Sequence, residues 1–147
     1  MKIKFIKSSG WLISGLILLI SCGGKKTETS ITNQEKNADV EVIYFYGKQR
    51  CATCMAMEKF AREAIDSVFH ERLNDGKLSF KSVDITSPDG EKLADSFEVT
   101  SSSLFVVNNI PENPEKIDMT AFGFRNARNN RQVFKQGVID QINKFLD

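Results

Sequence analysis

The sequence has few of the side chains that bind zinc and little excess of either charge. Its 147 residues include one histidine and three cysteines, so no second Cys or His pair completes a four-ligand zinc site. Basic and acidic residues nearly balance, at 20 and 19, and the formal net charge is +1. Without a basic excess, the composition gives no reason to expect nucleic-acid binding. We therefore expect no nucleic-acid partner and no zinc site.

The hydrophobic run near the N-terminus is short. Trp11–Ile20 has ten residues, which is too few to span a bilayer and is typical of a signal peptide. Lysines precede the run, and Leu19-Ile20-Ser21-Cys22 closes it. These last four residues resemble the lipobox of bacterial lipoproteins, which implies that a signal peptide, residues 1–21, is cleaved and that Cys22 is lipidated. An ordinary secretory leader with a free Cys22, or an uncleaved signal anchor, stays open as the alternative.

Residues 22–39 are predicted to form a flexible linker. After Cys22 the only apolar side chains are Ile31 and Ala38, so the segment cannot bury a core of its own. Gly23, rather than aspartate, follows Cys22, and resemblance to lipoproteins of double-membrane bacteria then favours the outer membrane. We expect a lipoprotein of the cell envelope that is anchored in the outer membrane and faces the periplasm.

The remaining residues, 40–147, alternate strand and helix patterns and are expected to form one domain. The predicted strands span 40–46, 78–85, 102–108 and 116–120. The predicted helices span 51–69, 87–97 and 131–145. Val68 is assigned to the apolar side of the first helix, and Val133 to that of the last. The order β-α-β-α-β-β-α predicts a small mixed sheet with helices on both faces.

Cys51-Ala-Thr-Cys54 follows the first predicted strand and opens the first predicted helix. Two cysteines at this spacing can close a disulfide across one turn. At a helix start, the first sulfur meets unpaired backbone N–H groups, which favour the thiolate. Lys48 and Arg50 add positive charge that would stabilise this thiolate further, although Arg50 could instead be a solvated loop residue. The pattern indicates that Cys51 reacts first.

The order of elements, with C-x-x-C after the first strand, resembles the thioredoxin fold. That fold is a three-layer α/β/α sandwich with a central mixed sheet of about four strands, and the resemblance covers about Val40–Asp147. It implies that Cys51 is the nucleophile and Cys54 the resolving thiol. With the leader, it implies a membrane-anchored thiol–disulfide oxidoreductase that exchanges electrons with a redox partner protein in the envelope. No cofactor is expected, and no metal is assigned to the site.

The sequence departs from thioredoxins at two positions beside the site. Thioredoxins have a cis-proline just before the third strand, and here the matching residue is Ser103, preceded by Ser102. Both serines are assigned to the vicinity of the site. A cis bond before serine would cost on the order of 3 kcal/mol, so a trans bond is expected. Phe45 or Tyr46 is expected where thioredoxins have a buried aspartate, so that proton-relay carboxylate has no evident counterpart.

Three short motifs resemble a small bacterial family of thioredoxin-like proteins labelled nitrophenyl compound nitroreductase subunit ArsF. They are Arg50-Cys-Ala-Thr-Cys54, Ser101-Ser-Ser-Leu104 and Phe122-Gly-Phe-Arg-Asn-Ala-Arg128. The label implies an association with reduction chemistry or with arsenic-related genes. A thiol–disulfide site is what the motifs indicate more directly.

Two other functions use the same sulfurs differently or not at all. Met55 and Met57 lie near the cysteines, and this set of soft ligands suits Cu(I), or As(III) for the thiolates. Met57, however, falls on the apolar side of the predicted helix, where a core role is the simpler interpretation. His70 lies about 24 Å from Cys54 along a continuous helix and is too far to join the site. A non-catalytic subunit of a membrane reductase is the remaining alternative.

Arginines recur every third residue before the last predicted helix, at Arg125, Arg128 and Arg131, with no acidic residue between them. They could form a docking patch for an acidic partner. A solvated face at the start of the last helix is the preferred interpretation. Phe122 and Phe124 are expected to pack at a strand edge.

Overall fold

The computed structural model describes residues 37–146, so the predicted leader, Cys22 and most of the linker lie outside it. In chain order the elements are β1 Val40–Tyr46, α1 Ala52–Val68, α2 His70–Asn74, β2 Leu78–Asp84, α3 Pro88–Ser96, β3 Ser103–Asn108, β4 Glu115–Asp118, α4 Thr120–Asn126 and α5 Arg131–Leu146. Within this range, no helix has both the length and the hydrophobicity needed to cross a bilayer.

The four strands form one mixed sheet in the order β2-β1-β3-β4. β1 pairs in parallel with β2, with Val40 opposite Leu78, and antiparallel with β3, with Phe45 opposite Ser103. β3 pairs antiparallel with β4. A parallel pair needs a crossover connection, and α1 and α2 provide it. This topology is the predicted thioredoxin-like arrangement.

Helices cover both faces of the sheet. Alternation along β1 sends Val42 and Tyr44 to one face, and Ile43 and Phe45 to the other. The first face forms the larger apolar cluster with α1 and α5, and the second packs against α3 through Ala94. The predicted three-layer α/β/α sandwich is therefore confirmed.

Local sequence signals define the helix ends. The Ser87 Oγ accepts a hydrogen bond of 3.1 Å from the Gly90 N–H and caps α3, as the pattern predicted. At the end of α1, the Phe69 N–H donates to the Ile65 carbonyl at 2.8 Å, and the chain then turns into α2. This five-residue helix was not predicted, since it is too short to show a periodic pattern.

A second helix that the patterns did not predict, α4, has seven residues and lies between β4 and α5. The predicted fourth strand is present as β4, but it ends at Asp118 rather than Thr120, and Phe122 and Phe124 lie in α4 and not at a strand edge. The Leu104 N–H donates to the Thr120 Oγ1 at 3.1 Å, and the Met119 N–H donates to the Leu104 carbonyl at 2.8 Å. These long-range bonds fix the start of α4, and no local pattern encodes them.

Two valines predicted to face the core are exposed: Val68 by 49% and Val133 by 55%. Val68 is the last residue of α1, and the buried side chain at this end of the helix is that of its neighbour Phe69. In α5, Phe134, Val138 and Ile142 repeat every fourth residue and are fully buried. Val133 lies one residue ahead of this series, which turns its side chain towards solvent.

Candidate active site at the start of α1

Cys51 and Cys54 lie directly after the loop that follows the carboxyl end of the central strand β1. They form a disulfide with their Cα atoms 4.9 Å apart. Cys51 is exposed, whereas Cys54 is only 6% exposed. The roles of nucleophile and resolving thiol stay a prediction, and this difference in exposure supports it, because a partner can reach Cys51.

Cys51 is the N-cap residue of α1. Its backbone is extended, at φ −73° and ψ 162°, and the Cys54 N–H donates to its Sγ at 3.0 Å. The Met55 N–H donates to the Cys51 carbonyl at 3.0 Å and begins the helical ladder. The first turn of α1 contains no acidic residue. The positive end of the helix dipole therefore acts on the Cys51 sulfur without an opposing charge in that turn.

Tyr44, on β1, contacts the other cysteine. Its hydroxyl donates a buried hydrogen bond of 2.8 Å to the Cys54 backbone carbonyl. Tyr44 is fully buried, whereas Phe45 lies in the apolar cluster on the opposite face of the sheet. Tyr44, which was not singled out in the sequence, is thus the strand residue that reaches Cys54, and the expectation for Phe45 or Tyr46 stays a prediction. Because side chains alternate along β1, Tyr44 lies on the sheet face that packs against the apolar side of α1, and this pattern could have identified it.

Arg50, which immediately precedes Cys51, is not a solvated loop residue. Its guanidinium forms an ion pair with the carboxylate of Glu58, one turn after Cys54 on α1. The same guanidinium lies 4.6 Å from the ring centroid of Tyr46, as a cation–π contact. Sequence analysis missed Glu58, although its position four residues after Cys54 places both on one side of the helix.

The environment shifts the pKa of both partners in this ion pair. Burial raises the pKa of Glu58, but hydrogen bonds from Ser82 and Arg50 and the charge of Arg50 outweigh it and hold that pKa below its usual value. The Ser82 hydroxyl donates to Glu58 at 2.5 Å from strand β2. The hydrogen bond to Glu58 raises the pKa of Arg50 above its ordinary value, against the opposing effect of burial. Both groups are therefore charged at neutral pH.

Lys48 lies exposed in the loop between β1 and α1, on the side of β2. Hydrogen bonds from the Thr86 N–H and hydroxyl lower the pKa of Asp84, and the positive charge of Lys48 adds to this effect. Asp84 is the last residue of β2, and its side chain forms the turn that leads to α3. The strand thus ends one residue before the predicted end at residue 85.

Ser102 and Ser103 are buried at the same end of the sheet as the C-x-x-C loop. Ser103 begins β3 opposite Phe45, near the carboxyl end of β1. Its hydroxyl donates to the Ser101 carbonyl at 3.2 Å. Residues 37–146 contain no cis peptide bond, so the bond before Ser103 is trans. The sheet register thus supports the assignment of both serines to the neighbourhood of the site.

The other soft ligands near the cysteines are separated by burial. Met57 is fully buried in the core, which confirms its packing role, whereas Met55 is 52% exposed. His70 begins α2, at the far end of α1, and is exposed. Within residues 37–146, no cluster of three or more His, Cys, Asp or Glu side chains could hold a metal ion.

The three arginines that recur every third residue do not share one helix. Arg125 lies in α4, Arg128 in the following loop, and Arg131 begins α5. All three are exposed, and the guanidinium of Arg131 lies 4.2 Å from the ring centroid of Phe60. The interpretation as a face of the last helix holds for Arg131 alone.

Comparisons with known proteins found solved structures of low sequence identity to this chain. No family model matches the chain, and no curated protein matches its sequence. A solution structure of a thioredoxin from Thermus thermophilus is 20% identical, with a TM-score of 0.38, over 66% of this chain and 72% of that one. A structure described as a malarial protein is also 20% identical, with a TM-score of 0.39, over 55% of this chain and 81% of that one.

The strand order and the position of the disulfide define the fold as thioredoxin-like. The sheet has the order β2-β1-β3-β4 with the predicted directions, and the C-x-x-C pair opens the helix that follows the first strand. An exposed cysteine that caps a helix, linked to a buried one, is suited to thiol–disulfide exchange.

Proposed function

We propose that the protein is a membrane-anchored thiol–disulfide oxidoreductase of the cell envelope, which exchanges electrons with a partner protein through Cys51 and Cys54. The observation that carries this proposal is the asymmetry of the pair. Cys51 is exposed and caps α1, and Cys54 is buried behind it. In this arrangement the Cys51 sulfur is accessible to a partner protein, and the Cys54 sulfur lies close enough to react with it.

The exchange proceeds in two steps. In the reducing direction, the Cys51 thiolate attacks a partner disulfide, forms the Cys51–partner S–S bond and releases the other partner sulfur as a thiolate. The Cys54 thiolate then attacks the Cys51 sulfur, closes the internal disulfide and expels the remaining partner thiolate. Two electrons and two protons pass to the partner, and the oxidising direction is the same sequence reversed.

The envelope location rests on the N-terminal sequence. The basic segment, the ten-residue apolar run and Leu19-Ile20-Ser21-Cys22 support cleavage before Cys22 and its lipidation. The polar linker that follows would let the domain meet partners near the membrane surface. Outer-membrane attachment facing the periplasm, and membership of the ArsF-type family, belong to the same proposal.

Trapping in cells tests the proposal directly. Full-length Cys54→Ser lacks the resolving thiol, so it should accumulate a mixed disulfide through Cys51 that reducing agent releases. The matched variant Cys51→Ser should accumulate little, because Cys54, the cysteine of the pair that it keeps, is buried. Equal trapping by both variants, or none by either, would contradict the enzyme function.

A soft-metal or metalloid site is the second candidate, favoured by one observation. Met55 is 52% exposed and adjacent in sequence to Cys54, so its thioether could join two thiolates around Cu(I). Calorimetry on the reduced protein with Cu(I) and As(III) tests this candidate. Affinity weaker than about micromolar would remove it.

A non-catalytic subunit would instead keep its complex with a membrane reductase after loss of both thiols.

A further inference from the structure

Three side chains hold Arg50 beside the nucleophile. It precedes Cys51 directly, pairs with Glu58, lies over Tyr46 at 4.6 Å and lies 5.7 Å from the ring centroid of Tyr44. Its side chain is 30% exposed. A guanidinium held in this way has a fixed position on the residue next to Cys51, and the net charge of that residue's surroundings depends on what neutralises the guanidinium.

Glu58 is in turn held from a second element. The Ser82 hydroxyl on β2 donates to one carboxylate oxygen, and Arg50 binds the other. Ser82 lies opposite Tyr44 in the sheet, so the strand pair fixes both the donor and the aromatic support. Glu58 thus links the central sheet to the residue before the nucleophile.

Glu58 is also the first acidic residue of α1. The other charged groups near this edge are Lys48 in the loop, Arg62 on α1 and Asp84 on β2. The charge of Arg62 helps to lower the pKa of Glu58, and that of Lys48 helps to lower the pKa of Asp84. Of the two acids, Glu58 is the one that binds the residue adjoining Cys51.

We propose that Glu58 is a positioning residue for Cys51: it holds Arg50 in place and offsets the guanidinium charge, which limits the stabilisation of the Cys51 thiolate. This inference rests on the proposed thiol–disulfide function. If the thiolate of a dithiol is less stabilised, its reduced form is less stable relative to the disulfide. The disulfide form is then a weaker oxidant. Glu58 would thus bias the pair towards reduction of its partner.

The test measures how fast Cys51 is alkylated in the reduced full-length protein, across pH, with the Cys51 peptide quantified by mass spectrometry. Glu58→Gln removes the offsetting charge and keeps an oxygen for Ser82, so the thiolate fraction below neutral pH should rise about threefold. Arg50→Gln should lower it by a similar factor. At a pH where the Cys51 thiol is ionised, a threefold change in its ionisation constant corresponds to a rise of about 14 mV in the reduction potential of Glu58→Gln.

An electrostatic role predicts that Glu58→Gln and Arg50→Gln change the thiolate fraction in opposite directions. Simple loosening of the helix start would move both variants in the same direction, and that result would overturn the proposal. The double variant Arg50→Gln/Glu58→Gln should return close to wild type. Glu63→Gln is the matched control, because Glu63 also forms ion pairs on α1, with Lys59 and Lys135, but lies further along the helix. An unchanged thiolate fraction in Glu58→Gln would also overturn the proposal.

These measurements need no partner protein, so they are independent of the trapping experiment. If no partner is trapped but the two variants shift the thiolate fraction in opposite directions, the electrostatic role stands and the oxidoreductase function fails. If trapping succeeds and the variants do not differ, the function stands and the role of Glu58 fails.

Discussion

The Tyr44 hydroxyl donates a buried hydrogen bond of 2.8 Å to the carbonyl of Cys54. It ties the central strand β1 to the first turn of α1 and thereby fixes the buried cysteine. A net contribution of about 1 kcal/mol is typical for such a bond.

Tyr44→Phe should therefore lower the free energy of unfolding by about 1–2 kcal/mol, since it removes the donor and keeps the ring. Urea denaturation of the full-length protein measures the change. Tyr46→Phe is the control, because the Tyr46 hydroxyl makes no hydrogen bond to a side chain or backbone group within residues 37–146. An equal loss in both variants would contradict a specific role for the Tyr44 hydroxyl.

Glu58 should make stability depend on acidic pH. Its pKa in the fold lies below the ordinary value of 4.5, because hydrogen bonds from Ser82 and Arg50 outweigh the effect of burial. Its contribution is therefore present above about pH 4.5 and is lost as the pH falls through the lowered pKa. Urea midpoints measured between neutral and acidic pH should fall less steeply in Glu58→Gln than in wild type.

Asp84→Asn provides the comparison for that experiment. Asp84 also has a lowered pKa, caused mainly by its hydrogen bonds from Thr86, but it is the last residue of β2 and those hydrogen bonds are exposed to solvent. Removal of Glu58 should flatten the pH profile more than removal of Asp84, because Glu58 links three elements. The reverse order would show that the Arg50–Glu58 pair contributes little to the fold.

Gly123 should resist substitution, because it allows α4 to approach α1. A Cβ at this position would overlap the Met57 Sδ, and Met57 is fully buried. Gly123→Ala should cost about 1–3 kcal/mol in unfolding free energy, as overpacked cores do. At Gly47 an added Cβ would make only an ordinary contact with Ile85, so Gly47→Ala should be neutral or slightly stabilising. Similar losses at both positions would contradict this packing.

Val133 and Val138 of α5 were both predicted to face the core, but only Val138 does so in the structure. Val138→Thr should lower the unfolding free energy by about 1–3 kcal/mol, since it buries a hydroxyl at a fully buried position. Val133→Thr should change it by less than about 0.5 kcal/mol, because Val133 is 55% exposed. Thermal or urea unfolding of the two variants measures the difference. Equal losses of stability would indicate that Val133 is buried as Val138 is.

The elements that carry strong local signals could be predicted from sequence. The β-branched and aromatic run of β1 and the Ser87 cap of α3 are examples, and both have the predicted starting points. The C-x-x-C pair is another, because its position after a strand and at a helix start depends on short-range patterns alone. These signals were enough to give the order of the main elements along the chain and the location of the site.

The parts that were missed depend on contacts between distant residues. Glu58 accepts a hydrogen bond from Ser82, twenty-four positions away, and this bond exists only once α1 packs beside β2. The start of α4 depends on a hydrogen bond between Leu104 and Thr120, sixteen positions apart. Local propensity cannot anticipate such bonds, because the sheet must form before they can.

The disulfide joins two residues of the same helical turn, three positions apart. It therefore ties no strand to a helix and no helix to another, and the ring that it closes is too small to restrict the unfolded chain much. The two apolar clusters hold the layers together without it. The domain should keep one architecture whether the pair is oxidised or reduced, and little more than one turn of backbone should adjust between the two states.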